Sequence, residues 1–489
     1  MGDRGLRVDI DRLRFTQQFV LARSSVFDRR GHPFAVAPLR FKLDTEFNLI
    51  THPDARVTKA DHASGYLWCL GDMLDPSHPD RDNAGVLQAA ARAVTNFDTL
   101  ERELSRLSGQ WIVIAAFGGA GRVYHDAGGL RGVFRAFDGE RPVIGSQPIL
   151  FERMGLAARD AALEREVRPL LRDSWTPHAL PYPDVERMPA NHCCDLETGR
   201  MVRYWPKRDI APVGLDEAAE RVGAMLRGAM EASLKRGPCV LSLSGGYDSR
   251  VLLACAGPLR EALHMVTVRI GTTRSHDTAL PAELAARLGF ELEIVDTAPN
   301  EPAVDAVLRE NSSGLSLEQS IAHAQFSAGP HKGAIHLQGL VAEVIRSYFG
   351  NARAGPGTSA MDILQLARYA PHPAILSGFE TWLARAPETT MSLLDLLFWE
   401  FRIGIWASAQ LEARRAVLEI WPPFNNRELL TIGLGVDAVH RQAPYALFRR
   451  MVDIHAPALK GLPYNAGAFQ GLKDALPLPW RVKRKLGWI

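Results

Sequence analysis

The segment Leu241-Ser-Leu-Ser-Gly-Gly-Tyr-Asp-Ser-Arg250 constrains this chain more than any other. It follows a short apolar run, Cys239 to Leu243, and leads into Val251, Leu252, Leu253 and Cys255. The expectation is a strand, a Gly-rich turn and a helix. Two adjacent glycines let the backbone turn tightly and bring N–H groups close to an anion. The helix that follows points its positive end at the same spot. Ser244 and Ser249 add hydroxyl donors. Asp248 carries the most information, because a carboxylate repels phosphate unless a divalent cation bridges the two. A Ser/Gly-rich surface turn is the plainer reading of a Gly-Gly pair alone. The full SGGxDS pattern between strand and helix is more specific. Leu243, Ser244, Gly245, Gly246, Tyr247, Asp248 and Ser249 are therefore the phosphate-binding candidates, with Asp248 a metal ligand. No GxxxxGK(S/T) occurs, so this is not a Walker loop.

The surroundings alternate. Leu215 to Leu234 reads as an amphipathic helix, with Leu215, Ala218, Val222, Met225, Leu226 and Ala229 on one face, stopped by Gly237-Pro238. His264 to Ile270 and Glu291 to Val295 read as strands, separated by a helix over Thr278 to Leu288 that tolerates Pro281 in its first turn. Strands spaced by helices argue for a parallel sheet covered on both faces. Beyond Phe349 the signals are mainly helical. Residues from about 18 to 205 read as strand-rich, with one helix over Ala84 to Leu107 and a buried strand over Trp111 to Phe117. That strand turns into Arg122 to His125, and Asp195 to Gly199 reads as a turn between two more short strands. Pro206 and Pro212 mark a linker. The expected domains are 1–205 and 206–489.

At 489 residues the chain exceeds one ordinary core. Its 46% apolar and 23% charged residues suit a globular enzyme. A net charge of +2 supplies no field for nucleic acid, and Arg481, Lys483, Arg484 and Lys485 read as a solvated tail. None of the five cysteines has zinc-site spacing, and Cys193 and Cys194 are adjacent, which is poor disulfide geometry. Reduced thiols in a reducing compartment are expected. The N-terminal stretch lacks an apolar segment of signal-peptide type, and Leu6 breaks the myristoylation pattern. The longest apolar run, Trp111 to Phe117, is too short to span a bilayer. A cytoplasmic protein with neither membrane nor nucleic-acid partner is expected.

Together with its surroundings, the loop resembles the pyrophosphate (PP) loop of ATP-pyrophosphatases, and the chain from about residue 100 to 465 resembles the asparagine synthetase family. Gly109-Gln-Trp-Ile-Val-Ile-Ala followed by Asp126-Ala-Gly-Gly129 resembles that family's "GxFA" and "DxxG". Phe134 and Phe137 fill its next strand, and Gly145-Ser146-Gln147 is similar to "aSe". Met188-Pro-Ala-Asn-His and Tyr204-Trp205 resemble "PPG…ryW". Ser275-His-Asp277 resembles the start of "SxDxxxAxxxAxxLG", and Pro423-Phe-Asn-Asn-Arg427 resembles "PLLDxR". Ile335 to Arg346 falls where the family has "SGEGxDE", with Gly339 at the first glycine and Glu343 at the aspartate. The resemblance implies an α/β protein. A glutaminase-like (Ntn-type) α+β sandwich would precede a PP-loop parallel-sheet synthetase domain with a helical C-terminal part. It also implies ATP and Mg2+ as cofactors, with Val268, Asp277 and Gly339 joining the loop around the nucleotide and Asp248 with Glu343 holding the metal.

Two departures refine the expected chemistry. Glutamine-dependent members carry a cysteine directly after Met1, where this chain has Gly2, so the first domain is expected to be a degenerate glutaminase. β-Lactam synthetase, carbapenam synthetase and lasso-peptide cyclases share that condition and use an amine already in the substrate. The family's "GxxKxxLR" lysine is replaced by Tyr445, leaving Arg441, Arg449 or Lys460 to supply positive charge. Leu340 stands where the β-lactam branch has a tyrosine in "GYGxD". Asp248, Glu343, Tyr445 and Arg449 are the catalytic candidates. Glu400, Arg402 and Trp406 serve either a substrate pocket or packing. The expected activity is adenylation of a carboxylate and its transfer to an amine, by analogy a macrolactam or lactam closure of a peptide or small molecule. A leader-peptide-binding protein and a protease would be its partners. The alternatives are ammonia-dependent amidation, of aspartate or another metabolite, and a non-catalytic nucleotide-binding scaffold.

Overall fold

Apolar residues alternating in the first 205 positions build two six-stranded antiparallel sheets. The computed structural model describes residues 9–464 except 173, 177, 270–274, 297–299, 318–330, 351, 353 and 356. One sheet runs Glu186–Arg187, Phe134–Asp138, Arg141–Gly145, Phe19–Arg23, Phe47–Thr51, Leu39–Lys42. The other runs Met201–Arg203, His192–Asp195, Ala120–His125, Ser108–Phe117, Gly65–Leu74, Val57–His62. Side chains alternate across a strand, so each sheet has two faces to cover. The inner faces share one core, in which Phe19, Leu21 and Leu49 meet Leu70, Ile112 and Ile114. The outer face of the second sheet, with Leu67, Cys69 and Val113, is covered by Val86, Leu87, Leu100 and Leu104. The outer face of the first, with Val20, Ala136 and Val143, is covered partly by Phe379, Trp382 and Leu397 from far along the chain.

The single helix expected over Ala84 to Leu107 is two, Asn83–Ala93 and Phe97–Ser105. Val94 is extended, and Asn96 starts the second helix with a reciprocal capping box, Thr99 N donating to Asn96 Oδ1 at 2.9 Å and Asn96 N to Thr99 Oγ1 at 3.0 Å. The amphipathic period ran through the break because Val94 is buried on the same face.

Beyond residue 214 the expected helix Leu215–Leu234 forms with those bounds. A five-stranded sheet follows in the order Leu292–Asp296, Leu263–Arg269, Cys239–Ser242, Ile335–Leu337, Glu419–Trp421, every neighbouring pair parallel. The helix before the Leu292 strand starts earlier than expected, at Ser275. The fold is thus mixed α/β with one parallel sheet. Strand order reverses between Cys239–Ser242 and Ile335–Leu337, and in open parallel sheets ligands bind outside the carboxyl ends of strands at such a reversal. All five cysteines are buried and unbridged. Among the described residues no helix is long and apolar enough to cross a membrane.

Buried polar side chains, besides the apolar packing, tie residues of the first 205 positions to later ones. Asn425 Nδ2 donates to Gly109 O at 2.6 Å and to Asp126 Oδ1 at 2.9 Å, while its Oδ1 accepts from Gly128 N at 2.7 Å. Asn426 caps the helix Arg427–Leu434 and also donates to Arg106 O at 2.8 Å. Burial raises the pKa of Asp126 above the ordinary carboxylate range, and the donated hydrogen bonds oppose that shift.

Candidate functional site

The Ser-Gly-Gly turn sits at the reversal point. Leu243 leaves the strand by donating to Val266 O at 2.7 Å on the neighbouring strand. The helix Tyr247–Ala256 begins four residues later, with Gly246 extended at its N-cap. The turn is held from within: Ser244 N donates to Ser249 Oγ at 3.1 Å, the two hydroxyls lie 3.0 Å apart, and Gly246 N donates to Ser244 Oγ at 3.3 Å. The first-turn N–H groups of an α-helix have no partner within it, which is the general basis of anion binding at helix N-termini. Val268 is two residues beyond Val266 on the adjacent strand, half-buried.

From the other side of the reversal, the chain after Ile335–Leu337 comes into contact with this turn. A Cβ built on Gly339 would lie 2.5 Å from Asp248 Cβ and 3.1 Å from Ser249 N, so only glycine fits. Two residues on, Val341 holds φ +79° with its side chain fully buried, a left-handed backbone that β-branched residues rarely adopt. The short helix Ala342–Ile345 then carries Glu343 toward Asp248. Arg346 Nη2 lies 3.2 Å from Asp248 Oδ2 and 3.8 Å from Glu343 Oε1. Asp248 Oδ1 and Glu343 Oε2 are both buried with no hydrogen-bond partner. Desolvation pushes the Asp248 carboxyl up to about 7, Arg346 pulling it down and Glu343 pushing it further up. Two oxygen ligands left without donors are what an oxygen-seeking divalent cation needs, so the pair fits Mg2+.

Aromatic rings and guanidinium groups close this side of the site. The Tyr247 ring stacks on Tyr464 at 4.0 Å and meets Tyr445 edge-on at 4.8 Å. Arg346 lies 5.2 Å from the centre of the Tyr445 ring. Arg449 Nη2 donates to the Tyr247 hydroxyl at 3.3 Å. Tyr445 has φ +58° and caps the helix Ala446–His455. Arg250 is buried beneath, donating to Leu462 O at 3.0 Å.

The structure thus brings together Leu243 to Ser249, Gly339, Glu343, Tyr445 and Arg449, with Val268 alongside. Asp277 lies in the first turn of the helix Ser275–Leu288, and its side chain is outside the described residues, as are Gly2 and the C-terminal basic cluster. Of the cations offered in place of the lysine, Arg441 is committed elsewhere, its Nη1 2.9 Å from Asp395 Oδ2, and Lys460 is exposed. Glu400 belongs to packing: it is 2% exposed and accepts from Arg203 Nη2 at 2.8 Å, Trp382 Nε1 at 3.0 Å and Asn191 Nδ2 at 3.1 Å. Arg402 stacks on Trp406 at 3.9 Å and lines a cavity of about 460 Å³ with Arg172, Tyr348, Arg368 and Phe398. Sequence reasoning missed Arg346. Its signal was its position three residues after Glu343 together with the missing lysine.

No family model matches the chain. No curated protein matches it either. Among solved structures, the glutamine phosphoribosylpyrophosphate amidotransferase from B. subtilis, complexed with ADP and GMP, aligns at 12% identity over 75% of this chain and 88% of that one, with a TM-score of 0.25. A likeness that low assigns neither fold nor function, and the geometry of this chain's own residues is what characterises the site.

Proposed function

We propose that this chain is an ATP-dependent carbon–nitrogen ligase, with a degenerate glutaminase-like Ntn-type sandwich over 1–205 and an asparagine-synthetase-like PP-loop domain over 206–489. The observation that carries the reading is the pair of partnerless buried oxygens on Asp248 and Glu343, beside a serine-glycine turn at the reversal of a parallel sheet. In this reading the turn and the helix N-terminus bind the phosphates of ATP, while Leu243, Val268 and Gly339 border the adenosine. Mg2+ held by Asp248 and Glu343 would neutralise phosphate charge as the α–β bond breaks. A substrate carboxylate oxygen attacks the α phosphorus and pyrophosphate leaves. An amine then attacks the acyl carbon, AMP leaves, and a proton goes to solvent. Arg346 and Arg449 present positive charge where the lysine is missing, with Tyr445 wedged beside Arg346.

The preferred substrate is a peptide or small amino-carboxylate closed on itself, which gains from holding both ends together. A cavity of about 460 Å³, lined by Tyr348 two residues past Arg346 and by Phe349, Leu397 and Phe398, has the size of a small-molecule site. A leader-binding protein and a protease would accompany a peptide substrate. Ammonia-dependent amidation is the rival within the same chemistry. A second reading, a nucleotide-binding scaffold without turnover, has its own observation: Arg346 already pairs with Asp248.

The deciding experiment is carboxylate-dependent exchange of labelled pyrophosphate into ATP, with pooled acids and with the Asp248→Ala variant as control. Exchange that needs an acid and disappears in the variant supports adenylation. Free aspartate with ammonium singles out the rival. Mg-ATP binding without exchange from any acid moves the assignment to the scaffold.

A further inference from the structure

The amino ends of the parallel strands, on the opposite edge from the serine-glycine turn, carry a second cluster of metal-ligating side chains. Period-two alternation puts His264 on the same face as Val266, and the register pairs Val266 with Glu293 of the next strand. His331 arrives just ahead of the strand Ile335–Leu337. His264 Nε2 lies 2.7 Å and His331 Nε2 3.1 Å from the same oxygen, Glu293 Oε2. One ligand atom from each of the three falls within 4.8 Å of the others. Ligand bonds of about 2.0–2.1 Å in a tetrahedral site space the ligand atoms about 3.3 Å apart. Each imidazole nitrogen therefore needs to part from Glu293 Oε2 by about 0.2–0.6 Å, and the two imidazoles already lie within reach of one ion. The His331 side chain is 9% exposed and the His264 side chain 52%, so the site has a fixed wall and an open one. Beside it opens a cleft of about 660 Å³, lined by His264, Glu293, Arg260 and Phe290, with room for a water as fourth ligand.

We propose that His264, Glu293 and His331 bind a transition-metal dication of the zinc type, separate from the Asp248–Glu343 pair. Two imidazoles and one carboxylate favour Zn2+, Co2+ or Ni2+ over Mg2+. On binding, each imidazole presents the Nε2 lone pair, its proton passing through solvent to Nδ1, and Glu293 turns from hydrogen-bond acceptor to ligand. The ion joins two neighbouring strands to the segment that feeds Ile335–Leu337, the strand whose far end leads to Gly339 and Glu343.

The test uses tag-free, full-length protein stripped of metal. Titration with Co2+, followed by its visible d–d bands, and with Zn2+ by calorimetry, is expected to show one ion per chain lost in two variants. His264→Ala and Glu293→Gln each weaken it by at least about tenfold. Saturating Zn2+ raises the melting temperature of the parent but not of His264→Ala. Asp248→Asn binds Zn2+ like the parent, which separates this site from the turn. Unchanged affinity in both variants, or no binding at micromolar Zn2+, overturns the proposal.

Discussion

Arg346 Nη2 stands 3.2 Å from Asp248 Oδ2, so a fixed cation faces the one acidic residue of the serine-glycine turn. Removing that cation raises the Asp248 pKa further, because Arg346 is what pulls it down. Arg346→Ala is expected to shift the pH at which Mg-ATP binding is half-maximal upward. If the proposed adenylation holds, the substitution also lowers carboxylate-dependent pyrophosphate exchange by about a hundredfold, the usual scale for losing one charge-stabilising donor. Arg346→Lys keeps part of the rate. An unchanged pH midpoint in the alanine variant would show that the two side chains do not interact in solution.

Gly339→Ala tests the contact between the two segments of the site. Its methyl group would sit 2.5 Å from Asp248 Cβ, so the turn must move. Overpacking of this kind costs about 1–3 kcal/mol. Nucleotide binding is expected to fall more than urea stability, and parental affinity for Mg-ATP would mean the contact is slack.

At Val341 the ordinary ranking of small residues is expected to invert. In most positions Gly is less stable than Ala by about 0.5–1 kcal/mol. With φ +79° here, Val341→Gly should be more stable than Val341→Ala by a comparable margin. Paired urea melts decide it.

Asn425 offers a test of the contact between early and late parts of the chain. Asn425→Ala strands the Gly128 N–H and removes a donor from buried Asp126, a loss of about 2 kcal/mol or more. Asn425→Asp keeps the shape but sets a second carboxylate against Asp126, and it should be worse than alanine at pH 8. Equal melting curves for the two variants would remove the charge argument.

Two buried histidines give the fold an acid limit. Burial pushes His125 down to about 3, with Arg427 acting in the same direction, and His192 down to about 4 against the opposing charge of Glu400. Unfolding lets both recover ordinary values near 6.5. The unfolded chain therefore binds more protons below that pH, and stability is full above about 6.5 and is lost as pH falls toward 4. A His192→Gln variant should show a shallower decline in urea midpoint between pH 7 and 5.

What was legible in the sequence follows from where each signal lives. The turn at Ser244–Ser249 and the helix Leu215–Leu234 were readable because glycine pairs, apolar period and stop residues are local. The partnership of Gly339 and Glu343 with the turn needed the resemblance to a family. The role of Arg346 was hidden because its spacing from Glu343 is a weak local mark, which gains meaning only beside Tyr445 and Asp248 in space. Glu400 read equally as pocket or packing, since an acid on an apolar helix face signals neither until Arg203, Trp382 and Asn191 are seen around it. The covering of the first sheet by Phe379, Trp382 and Leu397 was also invisible, because amphipathicity says that a face is buried but not against which sheet.

The bridge made by Asn425, Asn426 and Arg427 has a consequence for how this chain comes apart. Each of these side chains reaches backbone or polar atoms of the first 205 residues, Arg427 through Asn191 at 3.2 Å, and each is buried. Separation of the halves would expose or strand all of these groups at once. Protease nicking of the backbone near residue 206 would therefore leave two fragments that still sediment as one particle, in the manner of an obligate heterodimer whose two subunits happen to be encoded in a single reading frame.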